Sequence, residues 1–135
     1  MKRDEVKAMT DKELRTEAGR LRGWRETTER QRHPVTKVTK HVWMYNEKRV
    51  VCGAHVLYPF PNYPNDIAAA MELVEVMRGT HDGHFTLFAF TTNWRAAPGT
   101  ISDPQIDSMR MAEGETASLA ITRAFILAMT GGDDE

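Results

Sequence analysis

The residues best suited to ligand chemistry lie in a segment rich in proline and aromatic residues, at positions 58–66. Its aromatic rings can stack on a nucleobase, and its side-chain amides can hydrogen-bond to the edge of the base. A helix is predicted to follow, and the N–H groups at a helix N-terminus favour phosphate or carboxylate ligands. The candidate ligand-binding residues of this segment are Tyr58, Phe60, Asn62, Tyr63 and Asn65.

A structural interpretation of the same segment stays open. The aromatic rings can fill one end of the core, the asparagines can cap a turn, and the carboxylate of Asp66 can satisfy the helix end. The nearby carboxylate also disfavours an anion unless cations join it. Lys48 and Arg49 are the candidate cations, because they close a basic stretch that begins at residue 30.

Tryptophan and arginine side chains elsewhere offer further candidates for ligand binding. Trp94 and Arg95 stand at the predicted end of a strand, where they can supply stacking and charge. Trp43 can do the same from a predicted hairpin. Tryptophans are also common anchors of cores and interfaces, so a purely structural role is the alternative.

Metal binding and catalysis have little support in the sequence. His81 and His84 have a spacing that can hold a divalent metal, but only His55 or Cys52 offers a further ligand. A polar surface turn is the favoured explanation of the two histidines. Cys52 lies in an apolar run, and no nucleophile elbow, phosphate-binding loop or zinc-protease motif occurs. We therefore predict a protein that is not an enzyme and that uses no cofactor or metal.

The bulk properties indicate one ordinary globular domain. The chain has 135 residues, a formal net charge of −1 and 41% hydrophobic residues. That charge gives no reason to expect a nucleic-acid or membrane partner. The single cysteine excludes an internal disulfide. With no secretory signal and no long apolar run, we expect a soluble intracellular protein.

Three helices have recognisable boundaries in the sequence. The first starts at Thr10, which forms a capping box with Glu13, and ends at Gly23. Residues 1–8 are predicted to be a flexible extension. The third starts at the N-cap Thr116 and ends near residue 131, where an acidic tail of residues 131–135 begins.

The second helix is predicted to be the centre of the fold. Pro64 suits its first position, and the helix should end near residue 79. Apolar residues at three- and four-residue spacing predict its buried face. The predicted face consists of Ile67, Ala70, Met71, Val74 and Met77.

The strands are harder to place. Residues 25–34 lack periodicity and are predicted to be a loop. A hairpin is expected around residues 46 and 47, and the strand after residue 84 has apolar residues on both faces, which predicts a central, covered position. The predicted strands are 35–45, 49–57, 85–94 and 105–112. The result is an α+β protein of order α-β-β-α-β-β-α with a mostly antiparallel four-stranded sheet.

Several motifs together resemble a family of short phage proteins, the phage ABA sandwich domain. The first is a TDKEL helix at residues 10–14 that closes on a Gly-Trp pair at residues 23–24. A Tyr-x-x-Asp-Ile-Ala-Ala-Ala turn follows at residues 63–70. A Thr-Ala-x-Leu-Ala-Ile helix start comes last, at residues 116–121. The motifs occur in order, and the resemblance spans residues 9–130.

The resemblance implies a three-layer α-β-α sandwich and a bacteriophage or prophage origin. Many such proteins carry a cysteine-rich insert after the Gly-Trp pair. This chain has a basic, β-prone stretch there with only Cys52, so metal binding by that insert does not carry over. The family supplies no established catalytic residues to transfer.

Three functions follow as hypotheses. The first is a non-enzymatic phage counter-defence protein in the cytoplasm of the infected host. It would sequester a nucleotide second messenger in a pocket of a homo-oligomer. The second is a protein that inhibits or adapts a host protein through exposed aromatics such as Trp94. The third is nucleic-acid binding through the basic stretch of residues 30–49, which the net charge makes less favoured.

Overall fold

The computed structural model describes residues 2–30, 39–45, 48–51, 61–80, 83–99 and 111–130. Tyr58, Phe60, Cys52, His55 and His81 lie outside these residues. The fold is α+β, and every described strand pair is antiparallel. The chain divides into two compact units, where the sequence predicted one domain. One unit comprises Met1–Ala18 with Asn62–Glu135, and the other comprises Gly19–Pro61.

The described residues form four helices and six strands. The helices are α1 (Arg3–Ala8), α2 (Asp11–Leu21), α3 (Ile67–Thr80) and α4 (Ala117–Thr130). The strands are β1 (Trp24–Arg30), β2 (Thr39–Tyr45), β3 (Lys48–Val51), β4 (Phe85–Ala89), β5 (Trp94–Pro98) and β6 (Ala112–Gly114). None of the described helices is long and apolar enough to cross a membrane.

The N-terminal residues form a short helix where the sequence predicted a flexible extension. α1 packs against α4 and β6, and Val6 at its centre is 1% exposed. A helix of this length is not stable alone, so its packing against the rest of the unit must hold it in place. Val6 is the buried residue of α1, and one buried position leaves no periodic pattern in the sequence.

The start of α2 confirms the predicted capping box. The Thr10 hydroxyl accepts the Glu13 N–H at 3.2 Å, and the Glu13 carboxylate accepts the Thr10 N–H at 3.2 Å. Leu14 and Ala18 are fully buried. Gly23 has a φ of 107°, a conformation that favours glycine after a helix end.

The predicted loop at residues 25–34 is wrong for the part that the structure describes, because residues 24–30 form β1. β1 pairs with β2 from Trp24 opposite Tyr45 to Arg30 opposite Thr39. The predicted hairpin of β2 and β3 is confirmed, with Tyr45 opposite Lys48. Strand pairing depends on partners that are distant in the chain, so a polar segment without alternation can still form a strand.

α3 starts three residues later than predicted. Pro64 lies in a turn in which the Asn65 N–H donates to the Asn62 carbonyl at 3.1 Å. Asp66 is the N-cap, and its carboxylate accepts the Ala68 N–H at 3.0 Å. An N-cap needs a non-helical backbone and a side-chain acceptor, which Asp66 supplies directly before Ile67.

The buried face of α3 is also rotated from the predicted one. Ala70, Val74 and Met77 are buried as predicted, and Leu73 joins them. Ile67 and Met71 were expected on that face but are 50% and 45% exposed. α3 packs mainly against α4, and Leu73 is fully buried. The sequence offers two overlapping apolar stripes, and the position of α4 selects one of them.

The second sheet has the order β4-β5-β6, and α4 packs on β5 and β6. The predicted single strand at 85–94 is instead a hairpin, since the Phe90 N–H donates to the Asn93 carbonyl at 2.8 Å. Its expected coverage on both faces is wrong as well, because Leu87 is 37% exposed. The N-cap Thr116 is confirmed, and its hydroxyl accepts the Leu119 N–H at 3.2 Å.

The single four-stranded sheet is not confirmed. The described strands form two three-stranded antiparallel sheets, one in each unit. Only the end of the predicted strand 105–112 coincides with β6, and residues 101–110 lie outside the described residues. The three-layer sandwich stays a prediction.

Candidate functional site

The aromatic segment before α3 buries one of its candidate ligand-binding residues. Tyr63 is 1% exposed, so its ring is part of the core and cannot stack on a base from solvent. The side-chain amides of Asn62 and Asn65 lie 3.4 Å apart, with Asn65 donating to Asn62. Tyr58 and Phe60 are outside the described residues. Tyr63 therefore has the structural role that the sequence left open.

The N-terminus of α3 is already capped by a negative charge. The carboxylate of Asp66 accepts the Ala68 N–H, and its main-chain carbonyl accepts the Ala70 N–H at 2.9 Å. A phosphate at this position would meet the carboxylate at short range. The first turn of α3 therefore does not favour an anion.

Trp94 and Arg95 open β5, and the arginine is engaged within the protein. The Arg95 Nη2 atom lies 3.3 Å from the Glu113 Oε1 atom on the opposite strand. Its guanidinium carbon also lies 4.9 Å from the centroid of the Phe90 ring. Trp94 is half-buried and stands opposite Gly114. The charged group of Arg95 is therefore in contact with Glu113 and Phe90 within the protein.

The other candidates that the structure describes are Lys48, Arg49 and His84. Lys48 and Arg49 are adjacent residues of β3, and adjacent residues of a strand belong to opposite faces of the sheet. His84 is exposed. Within the described ranges, no three His, Cys, Asp or Glu side chains are grouped so that they could hold a metal.

The structure instead brings together a groove that the sequence did not predict. It has a volume of about 450 Å³. A smaller cavity of about 70 Å³ shares Lys7, Glu113 and Arg123 with it. All of its lining residues belong to the unit that contains α3 and α4. They are Lys7, Asp11, Asn93, Glu113, Gly114, Glu115, Leu119 and Arg123.

Arg123 is the central charged residue of this groove. Its Nη1 atom donates to the Glu113 carbonyl at 2.8 Å. Its Nε atom is buried and has no hydrogen-bond partner among the described residues. Partial burial lowers the pKa of Arg123, and the carboxylates of Asp11, Glu115 and Glu113 oppose that shift. An arginine keeps its charge at neutral pH even so, which makes Arg123 a permanent cation beside the groove.

Glu113 connects the groove to β5. Its side chain pairs with Arg95 and accepts a hydrogen bond from the Asn93 Nδ2 atom at 3.4 Å, while its carbonyl accepts from Arg123. Gly114 follows, and the backbone of α4 lies close to it: a Cβ atom there would be 2.6 Å from the Ala120 nitrogen. This close approach places β6 directly against the first turn of α4, which forms one wall of the groove.

The groove is lined by two cations, Lys7 and Arg123, and by three carboxylates, of which that of Glu113 pairs with Arg95. In the described part of the chain, neither Lys7 nor Arg123 lies within ion-pair distance of a carboxylate. Both cations can therefore pair with a phosphate or carboxylate. Asp11 and Glu115 can accept hydrogen bonds from amino or ring N–H donors. A groove of this volume is in the usual range of small-molecule sites.

Sequence reasoning missed this site because its lining residues are scattered along the chain. Lys7 fell in the predicted extension, Asp11 in a helix start and Arg123 in a helix interior. No motif connects them. The only local signal was the capping box beside Asp11, which predicts a helix and says nothing of a ligand.

No family model, no curated protein and no solved structure matches this chain. The resemblance to the phage ABA sandwich domain therefore stays a prediction.

Proposed function

We propose that this protein is a small phage-encoded binding protein without catalytic activity that sequesters a nucleotide second messenger of a bacterial defence system. It would act in the cytoplasm of the infected host, as a homo-oligomer with the three-layer sandwich architecture of the phage ABA sandwich family. The motifs at residues 10–24, 63–70 and 116–121 support the phage origin.

One observation carries the nucleotide part of the proposal. Arg123 and Lys7 line a groove of about 450 Å³, and no carboxylate of the described residues lies within ion-pair distance of either. These two cations would bind the phosphates of the ligand. Asp11 and Glu115 would accept N–H donors from its base, since carboxylates are the natural acceptors for amino and ring N–H groups. The proposed pocket is thus the groove, in place of the aromatic segment before α3.

A retention assay tests this proposal. Purified protein is incubated with a panel of cyclic oligonucleotides and cyclic ADP-ribose isomers, filtered, and heated to release what it retained. Mass spectrometry then quantifies each nucleotide before and after the retained fraction is heated. A nucleotide that disappears and returns intact supports sequestration. One that returns altered indicates an enzyme and contradicts the proposal, and a panel that passes through unchanged also contradicts it.

A matched pair of variants locates the site. Arg123→Gln should weaken retention about tenfold or more, because a hydrogen bond to a charged group contributes ~1.5–3 kcal/mol. Arg78→Gln is the control, since Arg78 is exposed, pairs with Glu75 at 3.1 Å and lies outside the groove. Equal loss of retention in the two variants would mean that the groove is not the binding site.

A protein partner is the second candidate, and the exposed face of α3 favours it. Ile67 and Met71 are one helical turn apart and about half exposed. Exposed apolar residues grouped in this way are typical of interaction sites. A host protein captured in equal amount by the wild type, and lost in the Ile67→Ser and Met71→Ser variants, would support this function. Capture that persists in both variants would contradict a role for α3.

A further inference from the structure

The groove depends on α1 for one of its two cations. Lys7 of α1 lines the groove together with Arg123 of α4. The two residues belong to elements that are far apart in the chain, so they line the same groove only while α1 is packed against α4. Detachment of α1 would remove Lys7 from the groove and leave Arg123 in place.

The packing of α1 centres on Val6. Val6 is the buried residue of this helix, at 1% exposed, and its neighbours Glu5 and Lys7 are exposed. A helix of this length is not stable alone, so it persists only while it is docked. α4, in contrast, is buried along most of its length and packs against α3, β5 and β6. Opening of α1 should therefore require much less free energy than opening of α4.

The smaller cavity, of about 70 Å³, lies within the contact that holds α1. α1 contributes Arg3, Asp4, Val6 and Lys7 to its lining, and residues of β6 and α4 complete it. Val6, which anchors α1, thus borders a space that protein atoms do not fill. Atoms beside such a space lack part of the dispersion contacts that a closely packed interior provides. The cavity therefore weakens the docking of α1 further.

We propose that α1 is a strap that closes when the groove binds its ligand. Without ligand, α1 detaches from β6 and α4 while the rest of its unit stays folded. An anionic group of the ligand pairs with both Lys7 and Arg123, so it binds the docked state more tightly than the open one. This inference rests on the proposed function in one respect, because it takes the groove as the site of an anionic ligand. Any anion that pairs with both cations should act in the same way, so inorganic pyrophosphate is the probe.

Hydrogen exchange of single amides, followed by NMR on the full-length chain, measures the opening of α1. The Val6 N–H donates to the Lys2 carbonyl at 3.1 Å, and the Met9 N–H donates to the Val6 carbonyl at 3.2 Å. Both amides exchange when α1 opens, whereas those of the buried residues Ala124 and Phe125 in α4 report unfolding of the unit. Without ligand, the two α1 amides should exchange at least about a hundredfold faster than those of α4. Equal rates in the two helices would overturn the proposal.

Pyrophosphate should slow exchange in both helices, for different reasons. Exchange in α4 becomes slower because a bound ligand stabilises the folded unit, so it reports binding. Exchange in α1 becomes slower by the ratio of the affinities for the docked and the open state. We expect a ratio of about tenfold, because the open state lacks the contact of Lys7 with a charged oxygen.

The two helices together separate failure of the strap from failure of the proposed function. Slower exchange in α4 alone would leave the groove as an anion site and would overturn the strap. No change in either helix would overturn the strap and would also contradict anion binding in the groove. A strap that responds to pyrophosphate, in a protein that retains no nucleotide in the retention assay, would support this inference and contradict the proposed function.

A matched pair of lysine variants tests the role of Lys7. Lys7→Gln should abolish the effect of pyrophosphate on exchange in α1 and keep a weaker effect on exchange in α4, because Arg123 still binds the anion. Lys12→Gln makes the same change in α2, at an exposed lysine that does not line the groove, and should keep both effects. Loss of the α1 effect in both variants, or in neither, would contradict the proposed contact of Lys7.

A matched pair of valine variants tests the coupling in the reverse direction. Val6 lines the cavity and does not line the groove, so Val6→Ala acts on pyrophosphate binding through the docking of α1. It should speed exchange in α1 at least about tenfold and weaken pyrophosphate binding about two- to tenfold, since only the docked fraction binds with full affinity. Val74→Ala truncates a buried valine of α3 outside the groove and should leave this affinity unchanged.

Circular dichroism checks that both valine variants are folded. A folded Val6→Ala protein that binds pyrophosphate as tightly as Val74→Ala would overturn the proposal. If Val6→Ala does not fold, the pair of lysine variants decides the question.

Discussion

Replacement of Gly114 by alanine should destabilise the unit that contains the groove. A Cβ atom at Gly114 would lie 2.6 Å from the Ala120 nitrogen and 3.0 Å from the Leu119 Cβ. Both neighbours belong to the first turn of α4, which the N-cap Thr116 holds in place. The nearest atom is part of the backbone, so no rotation of a side chain can relieve the contact.

The expected loss follows from two opposing effects. Extra volume in a packed interior costs ~1–3 kcal/mol, because side chains and backbone must shift to make room. Alanine also restricts the unfolded chain, which favours the folded state by ~0.4–1 kcal/mol where its conformation is accessible. Steric overlap dominates at 2.6 Å from a backbone atom. We therefore expect Gly114→Ala to lower the free energy of unfolding by about 2 kcal/mol.

Urea unfolding, followed by circular dichroism of the helices, measures this change. Gly79→Ala is the control, because Gly79 lies within α3 and a Cβ atom there would meet nothing within 4 Å. That variant should be more stable than wild type by ~0.5–1 kcal/mol. A Gly114→Ala protein as stable as wild type would refute the inferred close approach of β6 and α4.

Three further stability changes can be measured in the same way. Asp66→Ala should lower the free energy of unfolding by about 1 kcal/mol, because the N-cap of α3 is lost, whereas Asp66→Asn should lower it much less. Equal losses in the two variants would contradict a capping role. Leu73→Ala should lower the free energy of unfolding by ~2–5 kcal/mol, because Leu73 is fully buried. Met71→Ala should lower it by less than about 0.5 kcal/mol, because Met71 is 45% exposed. A larger loss for Met71→Ala than for Leu73→Ala would support the face of α3 that the sequence predicts. Val6→Ala should cost ~1–3 kcal/mol if α1 packs as described, and no loss would indicate that it does not.

The sequence by itself determined the features that depend on a few neighbouring residues. The capping box of Thr10 and Glu13 and the N-cap Thr116 are such features, and the structure confirms each of them. A cap joins residues two or three positions apart, so its residue types and spacing define its geometry completely. The α+β class follows from the same local signals.

Features for which the sequence offers two similar alternatives were only partly predictable. α3 has two overlapping apolar stripes, and the sequence favoured the one with Ile67 and Met71. Packing against α4 selected the stripe with Leu73 instead. The same helix starts at Ile67 where Pro64 was predicted, because both Pro64 and Asp66 suit a helix start but Asp66 supplies the N-cap.

Only the tertiary structure decided the pairing of β1 and the composition of the candidate site. β1 has no alternating pattern, and its strand conformation comes from hydrogen bonding to β2. The groove combines Lys7, Asp11, Glu113 and Arg123 from α1, α2, β6 and α4. Each of these residues is ordinary for its own helix or strand, so the sequence does not indicate that the four lie close together. Their proximity results from the packing of those elements, which depends on contacts between residues far apart in the chain.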